Sequence, residues 1–70
     1  MRKTILDAVV ANAEGNLAVH KTNVEVYLQN PAGIGEHSDI VEAVIAEVEK
    51  MAHWQDVLDI IDEHFEETYN

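Results

Sequence analysis

Two runs of helical apolar spacing, parted by one cluster of helix breakers, leave this chain few ways to fold. In the first run Leu6, Val10, Ala13, Leu17, His20, Val24 and Leu28 follow one another by steps of three and four. Such steps return to one side of a helix that turns once in 3.6 residues, so they mark a single face with His20 as its one polar member. In the second run Ile40, Val44, Val48, Met51, Trp54, Leu58, Ile61 and Phe65 recur at the same average spacing, with neither glycine nor proline between them. The only proline, Pro31, and two of the three glycines, Gly33 and Gly35, fall in the segment between the runs, which is where the chain must turn.

These signals predict one all-α domain over residues 1–70, with a helix over about 4–29, a loop over about 30–38 and a helix over about 39–68. Thr4 is the expected N-cap of the first helix, with Asp7 in the first turn, where a carboxylate suits the helix dipole. Asn30-Pro31 stops that helix, and Ser38 is the expected cap of the next. On the second helix Val41, Ile45 and Ala52 flank the main face on one side and Val57 on the other, which predicts a kink near His53 or a change of neighbour there.

A short loop between long helices gives an antiparallel hairpin. Folded that way, Leu28 faces Ile40, Val24 faces Val44, Leu17 faces Met51, Val10 faces Leu58 and Leu6 faces Ile61, each pair of numbers adding to 67 or 68. His20 then falls opposite Val48 with no acid expected in reach, and reads as a polar residue that sets register.

A chain of 70 residues buries only about 60% of its unfolded surface, a thin core for independent stability. With no cysteine, neither disulfides nor thiolate metal sites can supplement it, which leaves assembly: the hairpin is expected to dimerise into a four-helix bundle. The lack of cysteine also fits a reducing cytoplasm. Ala8, Ala11, Gly15, Val19, Thr22 and Val26 form a second stripe on the first helix, roughly opposite its main face, and are the candidate oligomer interface. The alternative is a solvated face of good helix formers, which Val19, Val26 and a mid-helix Gly15 costing about 1 kcal/mol fit less well.

Charge divides the chain in two. Residues 1–35 carry three acids and three bases, whereas residues 36–70 carry eleven acids against Lys50, for a net charge of −10. Asp56, Asp59, Asp62, Glu63, Glu66 and Glu67 set six negative charges along about 18 Å of helix. That is about one per 3 Å, roughly half the density of duplex DNA. A basic protein surface is the partner such a stripe would suit, and a solubilising face is the alternative. In the antiparallel hairpin Arg2 and Lys3 should sit beside this acidic end and neutralise part of it.

With only four lysines and arginines there is no footprint for direct nucleic-acid binding. No stretch approaches the roughly 18 apolar residues of a membrane span. The start, Met1-Arg2-Lys3 with Ile5-Leu6 and then Ala11-Asn12-Ala13, is broken by Asp7 and is shorter than the about 15–30 residues of a secretory signal, so a cytoplasmic location is expected.

Nothing in the chain spells out a reaction. The inward Glu-x-x-His pairs of di-iron bundles are absent, since Leu17, Ile34, Lys50 and Ile61 precede the four histidines by three, and there is no His-Glu-x-x-His. Glu49 with His53, or His53 with Asp56, are spaced to share an ion, and they read more simply as a surface histidine beside carboxylates. Gly33-Ile34-Gly35 lacks the lysine and preceding strand of a phosphate loop, and Glu36 and Asp39 would repel phosphate. Neither enzyme activity, metal nor cofactor is expected.

The segment His20-Lys21-Thr22-Asn23-Val24-Glu25-Val26-Tyr27-Leu28, continued through Asn30-Pro31-Ala32-Gly33-Ile34-Gly35-Glu36-His37-Ser38-Asp39-Ile40-Val41-Glu42, resembles a group of small uncharacterised helical proteins of myovirus-type marine cyanobacterial phages. The likeness covers about half the chain and is most distinctive in the loop. It implies a viral origin and a host-cytoplasm location, and nothing about mechanism. The expectation is therefore a phage-encoded, non-enzymatic acidic protein that binds a basic surface of a host or viral protein. The alternative is a structural or accessory assembly protein whose bundle is itself the functional unit.

Overall fold

The first apolar run forms one helix, α1 (Arg2–Gln29), and the second forms α2 (His37–Ile61), continued by a π-helical turn over Asp62–Glu66. This computed structural model describes residues 1–29 and 37–66, with the backbone alone for residues 37, 38 and 66. Residues 30–36 of the loop expected over about 30–38, and the helix end beyond 66, lie outside the described residues.

Helix α1 opens two residues ahead of the expected Thr4 cap. The Ile5 N–H donates to the Met1 carbonyl at 3.0 Å, closing the first helical ring. A long-range contact holds this turn: Arg2 Nη2 donates to the Phe65 carbonyl at 2.6 Å. The last carbonyls of a helix lack partners within it and attract cations, so the guanidinium ties the start of α1 to the π turn that follows α2. Asp7 consequently lies past the first turn, where it accepts from Lys3 Nζ at 2.8 Å. Helix α2 likewise starts early, at His37, so Ser38 is inside the helix and not its cap. Its α-helical bonding continues through His53, and the change of helical geometry comes at Asp62.

The helices run antiparallel in the expected register. His20 meets Glu47 and Arg2 meets Phe65, and the numbers in each pair add to 67. Leu6 and Ile61, the expected partners at that sum, are both buried. Ala13 is fully enclosed, and Trp54 stands level with it in this register, a small residue across from a large one.

Leu6, Ala13 and Ile61 are the whole buried core of the described residues, and no large side chain is fully covered. Burying a Leu or Ile contributes about 1.5–3 kcal/mol, while ordering each residue costs about 1–2 kcal/mol. One hairpin therefore has little to hold it. Its shape agrees: a rod of 49 × 16 × 15 Å with a radius of gyration of 15.8 Å, against about 11 Å for a compact domain of this length.

Three residues expected in the seam are turned out of it: Leu28 is 61% exposed, Val48 47% and Phe65 41%. For Val48 the cause is the neighbouring residue. Glu47 occupies the inward position, and a step of about 100° along the helix swings Val48 to the flank. Leu28 and Phe65 stand at the two ends of the packed length.

Candidate functional site

Three surfaces can be built up from these helices: a polar cluster across the seam, an apolar groove beside it, and the acidic end. The cluster centres on Glu47. Its Oε1 accepts from His20 Nδ1 at 2.8 Å and from Asn23 Nδ2 at 2.8 Å, and its Oε2 lies 3.7 Å from Lys50 Nζ. The His20 and Glu47 side chains are 17% and 13% exposed. An ionised carboxylate only accepts, so the imidazole must carry its proton on Nδ1 to make this bond. The Asn23 amide first, then the His20 ring, hold the Glu47 carboxyl below its ordinary value against partial desolvation, and Lys50 pulls the same way.

This cluster corrects the expectation that no acid reaches His20. The signal was present, because 20 and 47 add to 67 like the other partners, but the apolar pattern favoured Val48 for that position. A carboxylate already satisfied by two donors and lowered in pKa is a poor proton acceptor at neutral pH. The cluster suits a register pin better than a general base.

The groove opens along the opposite side of the seam. Leu17 and Val24 of α1 face Val48, Met51 and Ala52 of α2 across a depression of ≈ 500 Å³, with Lys21, Glu25 and Gln55 at its rim. On the wheel of α2, Val41 and Ile45 extend the same flank toward the loop end, and they are 57% and 51% exposed. This continuous apolar flank is the surface that sequence patterning alone passed over, although Val41, Ile45 and Ala52 had marked it.

Of the acidic stripe, Asp56, Asp59, Asp62 and Glu63 are exposed on the outside of α2 and the π turn. Asp59 accepts from Gln55 Nε2 at 3.2 Å, and Glu63 lies 3.8 Å from the His64 ring. Glu66 closes the π turn with only its backbone described, and Glu67 lies outside the described residues. Arg2 does reach this end, as expected, through its bond to Phe65. A shallow depression of ≈ 540 Å³ beside the stripe is lined by α2 alone, including Glu49, His53, Asp56 and Asp59. Among the described residues no three His, Asp or Glu side chains converge as metal ligands. None of the described helices is long and apolar enough to cross a membrane.

The stripe Ala8, Ala11, Gly15, Val19, Thr22 and Val26 lies exposed on the side of α1 turned away from α2. A Cβ built on Gly15 meets no atom within 4 Å, so within one hairpin nothing there requires a glycine. Comparison of the chain with protein-family models, with curated proteins and with solved structures finds no match to any of them.

Proposed function

We propose that this chain is a phage-encoded, non-enzymatic interaction protein of the host cytoplasm, a hairpin that dimerises into a four-helix bundle and offers its acidic end to a basic surface of a host or viral protein. The observation that carries this reading is the set Asp56, Asp59, Asp62 and Glu63, all exposed at one end of the rod. Charge so concentrated speeds encounter with a basic partner and favours it over acidic ones. The thin core supports the dimer, and the satisfied Glu47 supports a chain without catalysis.

The test compares two triple reversals of equal charge. Asp56→Lys, Asp59→Lys and Glu63→Lys remove the acidic end, whereas Glu14→Lys, Asp39→Lys and Glu42→Lys change the net charge equally elsewhere. Capture of basic proteins from a lysate of infected cells at about 0.15 M salt should be lost with the first set and kept with the second. If both variants capture alike, the acidic end is only a solubilising surface. The second reading, an assembly protein whose bundle is the functional unit, draws on the exposed apolar flank of α2. It predicts capture that raised salt leaves unchanged.

A further inference from the structure

The apolar groove has one occupant that area, charge and geometry all favour. The hairpin exposes 5100 Å², while a compact monomer of its mass would expose about 4,400 Å². The excess, about 700 Å², is close to the roughly 800 Å² that each partner contributes to a standard interface. The excess is therefore of the size that one more chain would cover.

The flank of α2 that borders the groove changes character along its length. From the loop end it reads Val41, Ile45, Val48 and Ala52, and past Gln55 it continues with Asp56, Asp59 and Glu63. Two copies laid face to face in parallel would set acid on acid, which is costly across an interface. An antiparallel pair, shifted so that only the apolar halves overlap, avoids this. We propose that a second copy of this chain seats in the groove in that way, about a two-fold axis near Ile45, giving an all-antiparallel four-helix bundle with its acidic ends projecting at opposite tips. This rests on the dimer of the reading above and adds its face and direction.

The placement accounts for one detail that did not enter its choice, the charges at the groove rim. In the register of the hairpin, Ile45 is level with Thr22 and Asn23 of α1. Lys21 and Glu25 on the groove rim therefore straddle the axis, and each faces the other's copy, an isologous pair of opposite charges. Opposed α2 positions then have numbers adding to about 90, which brings Val41 near Val48 of the second copy. Because α2 is described from His37, the overlap of the two α2 helices reaches about position 53. Asp56, Asp59 and Glu63 all fall past that edge and stay available to another protein.

Sedimentation equilibrium at micromolar concentration tests the face, with helical content followed by circular dichroism. The wild type and Val19→Lys on the back of α1 should both be dimers, and Ile45→Lys a folded monomer with self-association at least ten-fold weaker. A dimeric Ile45→Lys beside a monomeric Val19→Lys would overturn the groove and hand the interface to the small-residue stripe. A monomeric wild type would overturn the dimer altogether. Neither result touches the capture experiment on the acidic end, which stands or falls separately. Direction is tested by oxidation of single cysteines in a chain that has none of its own. Ile45→Cys should form a disulfide-linked dimer and Asp59→Cys should not, and this holds as the check on the face if Ile45→Lys fails to fold. Equal cross-linking at both positions would overturn the antiparallel arrangement.

Discussion

His20 Nδ1 and Glu47 Oε1 meet at 2.8 Å across the hairpin, and this contact sets the rotation of α2 about its own axis. With Glu47 turned inward, Val48 is carried to the flank and becomes part of the groove wall. The pair agrees with the register set by the apolar runs and leaves Val48 on the apolar side of the rod. Removing Glu47 would leave the half-buried His20 ring without its acceptor, which is costlier than replacing the pair together.

Glu47→Gln should lower the melting temperature at neutral pH and flatten its dependence on acid. The folded state holds the Glu47 carboxyl below its ordinary 4.5. Between the folded and unfolded values the unfolded chain binds more protons, so stability rises with pH there. The contribution is complete above about pH 4.5 and is lost as pH falls through the folded value. Other acids relieve their mutual repulsion on protonation, so the quantity to measure is the difference between wild type and variant across pH 3 to 7. A difference that does not change with pH would mean the carboxylate is not stabilised by its two donors.

Ala13→Leu should destabilise the hairpin by about 1–3 kcal/mol, the usual cost of forcing extra methylenes into a closed contact. Ala13 is the only described residue with no exposed surface, so added methylenes have no open space to enter. Urea unfolding measures it. A neutral result would show that Trp54, level with it, is free to swing away.

Gly15→Ala should stabilise by about 0.5–1 kcal/mol, because alanine relieves the entropy cost of glycine inside a helix. Nothing in the hairpin lies within 4 Å of the added carbon. If instead the variant loses stability, and loses more of it at higher protein concentration, the small-residue stripe is a close crossing between copies. Thermal melts at two concentrations separate these outcomes.

Much of the architecture was legible in the sequence. Spacing of three and four residues gave two helices and one turn, and matching the runs end to end gave the register later seen in His20 with Glu47 and Arg2 with Phe65. The acidic end was also legible, because charge needs no fold to be counted. What the pattern could not decide was which of two adjacent residues points inward. Hydrophobicity chose Val48, while two hydrogen-bond donors on the facing helix chose Glu47, and those donors become neighbours of position 47 only after the chain has folded back on itself.

The sequence by itself determined helix content, antiparallel register and the separation of charge, since each follows from local spacing and composition. Tertiary structure decided the helix start at Arg2, the rotation of α2, and the groove that this rotation opens. In each case the deciding partner lies far along the chain, 63 residues away for Arg2 and 27 for His20. A contact of that range is a property of the packed pair of helices, and neither helix alone encodes it.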